Sequence, residues 1–164
     1  MLSSENKMND GYNDSSSTST TTTAGTKDSG SGKSLTRQIK ILLVDDQPDV
    51  IATFKMGLET YGYTIDGYTD PELALANFRP NTYHLLLLDI NMPKMDGFKL
   101  FQQIEKKDPK AIVCFVTAYE MMYFEAFKEI FPDLDIGSFV RKPISIENLA
   151  KQIESRVVEA KPPK

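Results

Sequence analysis

Leu85-Leu86-Leu87-Leu88-Asp89-Ile90-Asn91-Met92-Pro93-Lys94-Met95-Asp96-Gly97 is the stretch that decides the fold. Four consecutive leucines ahead of turn residues predict a strand buried on both faces, as in a parallel sheet. The strand ends on a carboxylate, Asp89. Asn91, Pro93, Asp96 and Gly97 then impose a turn, and a helical pattern follows as far as Lys106. In an open parallel sheet the chemistry sits just beyond the carboxyl ends of the strands. Asp89 therefore stands where a nucleophile or a ligand belongs, although a carboxylate here can also simply start a turn.

Working outward, Ile41-Leu42-Leu43-Val44 predicts a first strand closed by Asp45-Asp46. Pro48 opens a helix with apolar residues at Val50, Ile51, Phe54, Leu58 and Tyr61, ended by Gly62. Tyr63 to Tyr68 alternates, as expected of an edge strand. Asp70-Pro71-Glu72 is an N-cap followed by proline at the first helical position, opening a helix through Phe78. Beyond the leucine strand come a fourth strand, Ala111 to Thr117, and a fourth helix, Glu120 to Phe131, stopped by Pro132. Ser138 to Lys142 predicts a fifth strand, and Ser145 caps a last helix reaching Glu159. Strand and helix alternate throughout, which right-handed crossovers turn into one parallel sheet with helices on both faces.

The chain has 164 residues, 40% hydrophobic and 26% charged, and a net charge of −4, which argues against a dedicated nucleic-acid binder. The single cysteine, Cys114, lies in an apolar run and reads as a buried strand residue. The single histidine, His84, leaves histidine metal sites and Ser-His-Asp triads unsupported. No stretch is apolar over a bilayer's thickness and no signal peptide opens the chain, so no membrane insertion and a cytoplasmic location are expected. Residues 1–36 form a Ser/Thr-rich tail expected to be disordered, residues 37–160 the folded domain, and residues 161–164 a frayed end.

The strand ends carry Asp45-Asp46, Asp89, Thr117 and Lys142-Pro143. Three neighbouring carboxylates repel unless a cation joins them, and oxygen ligands without Cys or His favour Mg²⁺. A metal, an ammonium and a hydroxyl facing one free carboxylate suit a dianionic group such as phosphoryl. Each residue has a plainer reading alone: a cap pair for Asp45-Asp46, an exposed lysine for Lys142, a strand end for Thr117, a core aromatic for Phe139. Their joint placement favours the site.

Together, Leu43-Val44-Asp45-Asp46, Leu88 to Gly97, Thr117-Ala118 and Val140-Arg141-Lys142-Pro143 resemble the receiver domains of two-component response regulators, of the CheY-like type. The resemblance covers about Gln38 to Val158. It implies a flavodoxin-like, doubly wound five-stranded parallel sheet of strand order 2-1-3-4-5. It implies Asp89 as phosphoacceptor, Asp46 holding Mg²⁺ directly, Asp45 holding it through water, and the Asn91 main-chain carbonyl as a further ligand. Lys142 would pair with the phosphoryl oxygens and Ala118 would lie against them. Thr117 and Phe139 would be the switch pair.

The same resemblance implies a histidine kinase as phosphodonor and no enzymatic turnover beyond the domain's own phosphoryl transfer and slow reset. No output domain is expected after the last helix. The expected readout is an unidentified downstream protein at the face of the fourth helix, fifth strand and last helix, without direct DNA binding. A relay carrier and a phosphorylation-independent binding module are the alternatives. Two departures from the family stand out: the longer run Phe131 to Gly137, and a fourth helix with more large apolar residues than one buried stripe needs. A phosphate-monoester hydrolase would want an acid at Asn91, and a flavin carrier a hydroxyl-rich loop at Asp45-Asp46-Gln47-Pro48.

Overall fold

In the computed structural model, residues 38–118, 128–133 and 136–159 are described. The expected tail, the fourth helix up to residue 127 and the frayed end lie outside them. The elements are β1 (Lys40–Val44), α1 (Pro48–Glu59), β2 (Thr64–Tyr68), α2 (Pro71–Asn77), β3 (Leu85–Asp89), α3 (Gly97–Lys107), β4 (Val113–Thr117), β5 (Phe139–Arg141) and α4 (Ile146–Glu159). Residues 128–130 are helical, and a 3₁₀ turn, Ile136–Ser138, precedes β5. The five strands are parallel and ordered β2-β1-β3-β4-β5.

Alternation along each strand divides the core. Leu42, Val44, Leu86, Leu88 and Phe115 face α2 and α3 through Ala74, Phe78, Leu100 and Ile104. Ile41, Leu43, Leu85, Leu87, Cys114 and Val116 face α1 and α4 through Phe54, Leu58, Leu149 and Ile153. All four leucines of β3 are essentially inaccessible, each worth about 2 kcal/mol of burial. Gly57 lets α4 approach α1: a Cβ there would lie 2.6 Å from Ile146 Cγ1.

The register places the functional strand ends side by side. Val44 pairs with Leu88, Asp89 with Val116, and Thr117 with Arg141. Local chemistry fixes the helix starts. Asp70 Oδ1 accepts from the backbone N–H of Glu72 and Leu73, and Asp96 Oδ1 from that of Lys99. Ser145 Oγ accepts from Asn148 N at 3.2 Å, as its capping role predicts.

Several boundaries differ from the sequence reading by a residue or two, and three of them have a clear physical reason. The helix before Pro132 stops at Ile130, because a residue preceding proline is pushed out of the helical region. Phe131 instead buries its ring against Phe98 and Phe101. Ser138 belongs to the 3₁₀ turn rather than to β5, with its buried Oγ accepting from Arg156 Nη2 at 2.6 Å. β4 begins at Val113, since Ala111 N still donates to Asp108 O in the preceding turn.

Candidate functional site

Asp45 directly follows β1 and is 1% exposed. Its Oδ1 accepts from Gln47 N at 3.0 Å, and its Oδ2 pairs with Lys142 Nζ at 2.5 Å. Gln47, not either aspartate, is the N-cap of α1, so the plainer capping role for Asp45-Asp46 does not hold. Asp89, 5% exposed at the end of β3, pairs with the same Lys142 Nζ at 2.9 Å. The backbone N–H of Asn91 lies near enough to the Asp89 carboxylate to favour the charged form. Asp46 is half-buried, and its Oδ1 is buried without a hydrogen-bond partner.

Ligand oxygens of Asp45, Asp46 and Asp89 lie within 4.8 Å of one another. Three carboxylates against one ammonium leave an excess of negative charge where Asp45 and Asp89 are buried. A divalent cation would bring the group to neutrality. The partnerless Asp46 oxygen is the second sign of fit, because a buried carboxylate oxygen is costly unless something donates to it or binds it. All donors are oxygen, so the cation the site suits is a hard one.

The electrostatics follow from burial. Removal from water raises the Asp89 pKa, and the Asp45 charge adds to the rise; Lys142 and the Asn91 N–H oppose it. Burial works against the charge on Lys142, but its bonds to Asp45 and Asp89 outweigh that and its pKa is raised. The ammonium is therefore held charged between two acids.

The loop after β3 is fastened at both ends. Ile90 N donates to Val116 O, and Gly97 N donates to Ile90 O, both at 3.0 Å. Met92 buries its side chain beneath the loop. Gly97, the first residue of α3, sits so close to β3 that a Cβ would lie 2.3 Å from the Asp89 carbonyl oxygen. Only glycine allows that approach.

The remaining expected residues fall around this centre. Asn91 is exposed at the surface, with its N–H on Asp89. Thr117 closes β4 half-buried, and its carbonyl accepts from Lys142 N at 2.7 Å. Ala118 is exposed in the bend that follows. Phe139 opens β5, half-buried, its ring stacked on Phe115 at 5.5 Å and 6.4 Å from Phe98.

Sequence reasoning missed the second partner of Lys142, the Phe98–Phe115 wall against Phe139 and the role of Gly97. The glycine had a local signal, since it follows a capping aspartate at a strand-to-helix turn. The others depend on distances across the fold.

A model of the family described as response regulator receiver domain matches residues 41–154. The "Transcriptional regulatory protein RprY" of Bacteroides fragilis is 30% identical over 120 residues, covering 72% of this chain and 49% of that protein. The "Response regulator receiver protein CpdR" of Brucella abortus is 28% identical over 124 residues, covering 74% of this chain and 98% of that protein. The chain thus spans about half the length, or less, of the first curated relatives it matches. The crystal structure of a CheY-like response regulator receiver domain protein from Methanospirillum hungatei superposes with a TM-score of 0.66 at 26% identity, covering 75% of this chain and 96% of that one. Among the described residues, no helix is long and apolar enough to cross a membrane.

Proposed function

Because this chain belongs to the response regulator receiver domain family, we propose that it takes one phosphoryl group onto Asp89 from a histidine kinase. The observation that carries this reading is Lys142 bridging Asp45 and Asp89 beside the partnerless Asp46 oxygen. A structural ion pair needs one acid. Three acids with one lysine and an oxygen left over form a site awaiting charge from outside.

The Asp89 carboxylate attacks phosphorus as the P–N bond to the donor imidazole breaks, and the imidazole leaves with the bonding pair and takes a proton. The product is an acyl phosphate on Asp89, as in other aspartyl-phosphate chemistry. Lys142 follows the developing charge, exchanging a carboxylate contact for phosphoryl oxygens. Asp45, Asp46, Asp89 and the Asn91 main-chain carbonyl would hold Mg²⁺, which when bound neutralises charge on the transferring oxygens. Water attacking phosphorus later returns the free carboxylate and inorganic phosphate. The domain catalyses nothing beyond its own phosphorylation and reset, and we place both in the cytoplasm.

The readout follows from Thr117 and Phe139. A phosphoryl group on Asp89 offers acceptors that draw the Thr117 hydroxyl toward it. Phe139 already stacks on Phe115 and lies tilted 6.4 Å from Phe98, so a small motion of its ring would follow the hydroxyl inward. The surface of β5, α4 and the segment through Ile130, whose side chain is 54% exposed, would then present itself to a partner protein.

Acetyl phosphate with Mg²⁺ should add one phosphoryl group to wild type and none to Asp89→Asn, read by intact mass. Beryllofluoride should shift amide resonances of β5 and α4 as well as those at Asp89. Equal labelling of the variant would overturn the acceptor assignment. Shifts confined to the site would leave a relay carrier without this switch.

A further inference from the structure

The loop between β3 and α3 contains a residue in an unfavourable conformation. Lys94 has φ +70°, and Met95 N donates to Pro93 O across it at 2.8 Å. A γ-turn with positive φ at its centre is rare and strained for a residue with a side chain. Glycine or asparagine would sit there more easily, and the sequence has lysine.

Its side chain leaves the loop altogether. Lys94 Nζ reaches Asp70 Oδ2 at 2.7 Å, with Glu72 Oε2 at 3.8 Å. Asp70 is no mobile partner, since its other oxygen caps α2. The pair raises the Lys94 pKa and lowers that of Asp70. Lys94 thus ties the β3–α3 loop to the first turn of α2, a segment 24 residues away in sequence.

The loop it holds is the one that carries Asn91, two residues beyond Asp89 and three before Lys94, and the Asn91 N–H favours the charged Asp89 carboxylate. We infer that Lys94 is a positioning residue: its ion pair with Asp70 holds the strained turn, and through it the Asn91 main chain at Asp89. The inference rests on the proposed role of Asp89 only for its kinetic consequence. The tie itself acts on the geometry of the loop.

The test uses the full chain and three variants. Asp70→Asn keeps an oxygen able to cap α2 but removes the charge, Lys94→Gln removes the ammonium, and the third variant carries both. The first readout is the Asn91 amide, by its NMR resonance and its hydrogen exchange. The second is Mg²⁺ titration, and the third the rate of labelling by acetyl phosphate.

Both single variants should move the Asn91 resonance in the same direction and speed its exchange. Each should weaken Mg²⁺ binding and slow labelling about two- to fivefold, the range an exposed ion pair supplies. The double variant should be no worse than either single one, and added salt should bring wild type toward the variants. An unmoved Asn91 amide in both single variants, or effects that simply add, would overturn the inference. Failure of wild type to take a phosphoryl group would overturn the proposed function instead, and the Asn91 amide would still decide the tie.

Discussion

Gly97→Ala puts a methyl group where the backbone leaves no room. The new Cβ would lie 2.3 Å from Asp89 O, 3.1 Å from Asp89 C and 3.2 Å from Ile90 Cα. A carbon rarely approaches a carbonyl oxygen closer than about 3.3 Å, so α3 must retreat by about 1 Å. All three obstructing atoms are backbone, at and just past the end of the sheet's central strand, and none can rotate away. Overpacking of this kind costs about 2–3 kcal/mol, or about 10 °C in melting temperature for a domain of this size. Gly57→Ala is the internal control. Its Cβ would meet atoms at 2.6–2.9 Å, but all belong to the single side chain of Ile146, which can turn. Alanine also favours a helix interior over glycine by about 1 kcal/mol, so this substitution should be neutral within about that amount. Urea unfolding followed by circular dichroism measures both. A Gly97→Ala loss below about 0.5 kcal/mol, or a Gly57→Ala loss equal to it, would refute the packing argument.

Lys142→Met should lower stability by about 2–4 kcal/mol near neutral pH, because Asp45 and Asp89 then face each other unpaired. The deficit against wild type should shrink in acid, where the Asp89 carboxyl, its pKa raised by burial, protonates; an equal deficit at both pH values in urea titrations would contradict it. Tyr83 donates to Asp66 Oδ2 at 2.8 Å, and burial first, then Asp66, raises its pKa above the usual 10.0. Its contribution should therefore be fully present below pH 10 and fall as pH rises toward the folded-state value, so the gap between wild type and Tyr83→Phe narrows above pH 10 in thermal melts. Cys114 is fully buried and its thiol is pushed up to about 12, so Ellman's reagent should react with it only on unfolding, and prompt native-state labelling would show the strand opening locally.

The strand carrying Asp89 was legible because four leucines and a turn leave little else for that stretch to be. The helix starts at Asp70, Asp96 and Ser145 were legible for a similar reason, since caps are local chemistry. The grouping of Asp45, Asp46, Asp89 and Lys142 followed once alternating strands implied one parallel sheet, because each lies at or just past the carboxyl end of its strand. What stayed hidden was the detail of long-range pairing. Nothing near Lys142 in sequence says that it bridges two acids, one of them 97 residues away. Nothing near Lys94 points to Asp70. Phe131 looked like the end of an apolar helix, yet the proline after it and the rings of Phe98 and Phe101 place it in the core instead. Lys142 similarly reads as a strand residue, but β5 ends at Arg141 and the lysine turns into the site just past it.

The most direct test of the phosphoacceptor reading is to locate the modified residue chemically. The protein would be incubated with acetyl phosphate and Mg²⁺, reduced with borohydride, digested and mapped by mass spectrometry. An acyl phosphate is reduced to an alcohol, so an aspartyl phosphate becomes homoserine. Homoserine at position 89 alone, and at no position when Mg²⁺ is omitted, is the predicted result. Homoserine at Asp45 or Asp46 with Asp89 untouched, or none anywhere despite Mg²⁺, would contradict it.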